Sequence, residues 1–122
     1  MIGAAFMTFK LIPNPTFATT VKITQPGAEP VDLVVTWRFK SGKDYAAWLA
    51  KPAELAAKGQ TLPDHEYLGE VIANWDGPVT DAGVAVPYGA EALQTLLNNY
   101  QPAARELYDA YCAALTESRA KN

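Results

Sequence analysis

Few side chains in this sequence could do chemistry, and their spacing limits what they can do. The one histidine, His65, stands between Asp64 and Glu66, a triplet that suggests an acid/base group. Neighbours on a helix point in different directions, so Asp-His-Glu in sequence is not a constellation in space. His65 reads instead as an exposed residue near a helix start. Asn74, Asp76 and Asp81 crowd one polar stretch and invite comparison with a calcium loop. The D-x-[DN]-x-[DN]-G spacing is not met and the late glutamate is missing. That leaves turn-forming roles, in which short Asp and Asn side chains bond local backbone groups. Cys112 is the only cysteine; it cannot close an internal disulfide or, with one histidine, build a zinc site. It reads as a small buried hydrophobe. Ser41 looks like a helix cap and Ser118 lies near the chain end. There is no nucleophile elbow, P-loop or dinucleotide fingerprint. These residues predict no catalytic site, no metal and no cofactor; only His65 and the loop acids speak for a small enzyme or ligand-binding domain.

Composition narrows the field further. A chain of 122 residues suits one domain, 1–122, with a core of useful size. Hydrophobic residues at 49% and charged residues at 19% fit a folded protein rather than a disordered one. The net charge is −3 and the ten Lys and Arg are dispersed, which argues against nucleic acid, since phosphate neutralisation needs clustered positive charge. No run approaches the roughly 18–20 apolar residues of a membrane span. The apolar opening MIGAAFMTFKLI lacks a basic leader region and a convincing cleavage site. A soluble cytoplasmic protein is expected.

The elements that must position these residues follow from periodicity. From Val31 to Lys40 every odd position is apolar, which puts Leu33, Val35, Trp37 and Phe39 on one buried face of a strand. Val21 and Ile23 share a side in the same way, and the turn-rich segment from Gln25 to Pro30 predicts a hairpin between the two strands. Phe6 to Ile12 is the candidate for a third strand, ended by Pro13-Asn14-Pro15. Ser41, with Asp44 three positions on, opens a helix in which Tyr45, Trp48 and Leu49 share a face. Pro52 is expected to break or kink that helix and start a second short segment, stopped by Gly59. The stretch 57–65 is the one plausible soft joint.

From Asp64 onward, Tyr67, Leu68, Val71, Ile72 and Trp75 recur at helical spacing, although Gly69 weakens that helix by about 1 kcal/mol. Asn74 to Pro87 reads as a loop with turns at Asp76-Gly77-Pro78, Asp81-Ala82-Gly83 and Pro87. Gly89 caps a helix whose core face is Leu93, Leu96, Leu97 and Tyr100. Pro102 starts the last helix, with Ala104, Leu107, Tyr108, Tyr111, Cys112 and Leu115 on one side and Arg119 and Lys121 near its end. The fold class is α+β: an N-terminal antiparallel hairpin or three-stranded sheet over 1–40, then four or five mostly short helices over 41–122.

The aromatic residues fall mostly at core-facing phases, so packing is the default for each. Trp75 and Tyr88 bracket the central loop, and such residues also serve as interface anchors. The order VIANWDG (71–77), Val86-Pro87-Tyr88, Leu93 to Leu97, Tyr100, Ala110-Tyr111 and Lys121-Asn122 resembles the tail assembly chaperones of long-tailed bacteriophages, which also occur in prophages. Phe17 to Thr24 and Thr36-Trp37-Arg38-Phe39 are similar but less specific. The resemblance implies a protein that is not an enzyme, stays outside the mature virion, binds the tape measure protein and keeps it soluble until the tail tube polymerises around it. The tail tube protein and further copies of the chain are other partners it implies. The partner surface is expected on the last two helices and the 75–88 loop, with Trp75, Tyr88, Tyr108 and Tyr111 as contact residues. Ala103, Ala104, Ala110, Ala113 and Ala114 keep the last helix thin, either for a partner or for packing against the sheet. The alternative reading is a virion structural component, a small tail-tube or head–tail connector protein.

Overall fold

A computed structural model describes residues 9–117 of the chain. Two strands, β1 (Thr16–Ile23) and β2 (Val31–Arg38), pair antiparallel with Phe17 opposite Trp37 and Val21 opposite Leu33. Pro26 and a left-handed Gly27 (φ 71°) make the turn between them, closed by the Ala28 N–H donating to the Gln25 carbonyl at 3.2 Å. Proline fixes the first turn position and glycine tolerates the positive φ of the second. Alternation gives the pair one apolar face, and Val21, Ile23, Leu33, Val35 and Trp37 are all buried there. Phe39, expected on that face, lies beyond the strand end and is exposed.

The next element, α1 (Gly42–Ala57), starts where Ser41 Oγ accepts the Asp44 N–H at 3.2 Å. It runs unbroken through Pro52, contrary to the expected break. Proline has no N–H for the carbonyl four residues back, which belongs to Trp48. The Tyr67 hydroxyl donates to that carbonyl instead, at 2.7 Å. In return the Trp48 indole N–H donates to the Tyr67 carbonyl at 3.3 Å, and the two rings stack with centroids 4.3 Å apart. The helix ends as the sequence predicts. Gly59 is left-handed, its N–H bonds to Ala56, and the Gln60 N–H bonds to Leu55, the paired 5→2 and 6→1 bonds of a Schellman motif. Leu49, expected to share a face with Tyr45 and Trp48, is 39% exposed because only the Trp48 side of α1 meets the rest of the molecule.

The main correction concerns residues 64–76. A short helix, α2 (Asp64–Gly69), is followed by a strand, β3 (Ile72–Asp76), which completes the sheet in the order β1-β2-β3. The third strand is therefore here. Phe9–Ile12 form no strand, and Phe6, Met7 and Thr8 lie outside the described residues. The misreading has a physical cause. Ile72 pairs with Trp37, Asn74 with Thr36 and Trp75 with Val35, so Ala73 is an extra residue, a bulge. A bulge shifts the alternation by one, and it puts Ile72 and Trp75, three apart, on the same buried face. Three-residue spacing mimics a helix.

Two helices follow, α3 (Ala90–Asn99) and α4 (Ala103–Thr116). Gly89 stands at the N-cap of α3, and Pro102 at the N-cap of α4, one position before the expected N1 site. Leu93 is buried, as are Ala103, Leu107 and Tyr111, in one core shared with the sheet, α2 and Trp48. Ser118, Arg119 and Lys121 lie outside the described residues. Among the described residues, no helix is long and apolar enough to cross a membrane.

Candidate partner-binding groove

The residues that looked chemically able do not assemble. His65 and Asp64 share a cleft of about 200 Å³ with Gln94, Leu97 and Asn98, between α2 and α3; Glu66 does not line it. Asn74 and Asp76 are exposed on β3 and Asp81 at a loop tip, and among the described residues no three His, Cys, Asp or Glu side chains converge. Cys112 is half-buried and free. Every buried side-chain nitrogen and oxygen among the described residues has a hydrogen-bond partner, so the interior holds no polar group waiting for a ligand.

The four aromatic candidates separate sharply. Tyr111 is 0% exposed at the centre of an aromatic cluster, its ring 5.2 Å from both Trp37 and Trp48. Its hydroxyl donates to the Arg38 carbonyl at 2.8 Å, and burial pushes its pKa up to about 12. Trp75 is 7% exposed, donates to the Val86 carbonyl at 2.8 Å and meets Tyr88 edge-on at 5.2 Å. These two hold the structure together, and half-buried Tyr88 packs on Trp75.

The loop they anchor folds as a small hairpin. Val79 bridges Ala85, and a turn from Thr80 ends on left-handed Gly83, the three-residue loop with glycine in its last position. Its large exposed apolar side chains are Val79 and Val84, residues that the aromatic signal could not point to.

Tyr108 is half-buried and faces an open surface. It lines a groove of about 650 Å³ between α1, α2 and α4. Leu49, Pro52 and Ala53 form the α1 wall, and Tyr67 and Leu68 come from α2. Leu62, in the connection between those helices, closes one side, and Ala104 and Tyr108 form the α4 wall. The groove exists because small residues stand where two helices would otherwise interlock: Ala53 and Ala104 leave the space that larger side chains would fill. Its floor is rigid, since Tyr67 is stacked on Trp48 and lies 6.4 Å from Tyr108. Lys51 and Glu70, 2.5 Å apart, tie α1 to α2 beside it. Asp64, Gln101 and Arg105 make the rim polar; Arg105 is paired with Asp109 at 2.9 Å and lies 6.0 Å from the Tyr108 ring centre. Such a surface, apolar within and polar at its edge, suits an apolar helix face. Of the alanines of α4, Ala103 is buried in the core, Ala104 and Ala110 pack against it, and Ala104 also lines the groove.

The decisive comparison is with protein families. A family model described as "Phage tail assembly chaperone" matches residues 4–122, nearly the whole chain. The chain belongs to the phage tail assembly chaperone family. No curated protein and no solved structure matches it. For this family member, the order of motifs carried the resemblance, while the groove is a feature of the fold that no single motif announces.

Proposed function

We propose that this tail assembly chaperone acts in the bacterial cytoplasm, where it binds the phage tape measure protein and keeps it soluble during tail assembly, without catalysing a reaction. The observation that supports this most is the open α1–α2–α4 groove, an apolar channel on a rigid aromatic floor. A long helical protein with an uncovered apolar stripe self-associates. A groove that covers part of that stripe, without a deep anchoring pocket, favours reversible capture, because modest contacts leave the dissociation rate high. Tyr108, Leu49 and Leu62 are the side chains that would touch the bound helix. Trp75 and Tyr111 act through the fold.

Co-expression with the tape measure protein of the same phage or prophage tests this reading. The tape measure protein is expected to be insoluble alone, and soluble and co-purifying in the pair. Leu49→Asp with Ala53→Asp places charge on two exposed groove positions, so stability should stay within about 0.5 kcal/mol while co-purification is lost. A tape measure protein that stays insoluble beside the wild-type chain would sink the proposal. Recovery of the chain from purified particles would turn it toward a virion component.

A further inference from the structure

We propose that the segment Phe9–Ile12 is an exchange arm, which adds as an extra strand to the open edge of β1 in a second copy of this chain. Three of its four side chains are large and apolar, and they are the most exposed hydrophobic groups among the described residues: Phe9 93%, Leu11 92% and Ile12 80%. One such residue on a surface is ordinary; three within four residues of one exposed segment need a cover. The arm leads directly into β1, the edge strand of the sheet, which pairs with β2 on one side and with no strand among the described residues on the other. Over its eight residues β1 carries no proline and no bulge, and its single lysine, Lys22, is engaged with Asp32 across the hairpin. The devices that normally blunt an edge against pairing are therefore missing.

The arm cannot pair with the β1 of its own chain, because the connection between them is Pro13-Asn14-Pro15. Two-residue hairpin loops need positive φ, which proline cannot adopt, and a three-residue loop needs a left-handed residue at its last position, here Pro15. A longer loop around a type I turn would place Asn14 in the helical region, which the following proline disfavours. An arm barred from its own edge, beside an edge with no partner, is satisfied when two copies exchange arms about a twofold axis. The four residues Phe9–Ile12 span about 13 Å when extended, enough to pair along about half of the roughly 27 Å of β1. Alternation puts Phe9 and Leu11 on one side of the added strand. There they can cover the neighbouring cleft of about 320 Å³, whose apolar lining includes Phe17, Phe39 and Leu115.

Light scattering on the purified full chain, with amide hydrogen exchange, tests this. The wild type is expected at twice the chain mass, with β1 amides protected. Leu11→Asp with Ile12→Asp should run at one chain mass and lose that protection while keeping its far-ultraviolet circular dichroism, since neither side chain is packed within its own chain. A wild type at one chain mass at every concentration overturns the proposal. So does a double variant that remains dimeric, or a dimer whose β1 amides exchange as fast as those of the variant.

Discussion

Tyr67 and Pro52 are a matched pair. The proline leaves the Trp48 carbonyl without its helical donor, and the Tyr67 hydroxyl supplies one in a buried setting. Tyr67→Phe should therefore cost about 1–3 kcal/mol, the usual loss when a buried acceptor is left unpaired. In a Pro52→Ala background the alanine N–H can take over the bond, so the same change should cost less, with a coupling on the order of 1 kcal/mol. A double-mutant cycle by urea unfolding measures this directly. Equal losses in both backgrounds would mean that the hydroxyl does not replace the missing helical bond. The pairing was not legible in the sequence, since nothing in the order of residues says that position 67 reaches position 48.

Among the elements, β3 and the turn after it depend on two local exceptions. One is the Ala73 bulge, which aligns Ile72 and Trp75 on one face. The other is Gly77, with φ 150°, where an added Cβ would lie 3.1 Å from the Asp32 carbonyl oxygen and 3.3 Å from Leu33 Cδ1. Gly77→Ala should destabilise by about 1–3 kcal/mol, because both the backbone conformation and the close approach to β2 favour glycine. Thermal unfolding of the variant checks this, and a melting temperature equal to wild type would refute the strained-turn account. The turn itself was legible from Asp76-Gly77-Pro78. The strand before it was not, because a bulge gives a strand the spacing of a helix.

At the scale of the whole molecule, the aromatic cluster that joins sheet, α1 and α4 makes the fold sensitive to alkali. Tyrosine ionises near 10 in an unfolded chain. Burial raises Tyr111 to about 12 and also raises Tyr67 and Tyr108. A raised folded value means that the unfolded state loses its protons first. The stability contributed by these groups is thus complete below pH about 10 and is lost as pH climbs toward about 12. Urea unfolding across that window should show a falling midpoint, with tyrosinate absorbance appearing together with unfolding. A constant midpoint would show that the rings are not shielded. Tyr111→Phe should keep the ring packing but lose the bond to Arg38, and so weaken the fold less than Tyr111→Ala.

By itself the sequence determined the hairpin, the Ser41 cap, the Gly59 stop, the start of both last helices, most of the core and, through the order of its motifs, the family. These are local or periodic properties, set by backbone sterics and by which side chains avoid water. Tertiary structure alone decided the continuity of α1, the place of the third strand and the identity of the exposed groove. Each depends on contacts between residues far apart in the chain: a tyrosine that replaces a lost helical bond, a bulge that resets a strand's phase, and small side chains on α1 and α4 that leave room between helices.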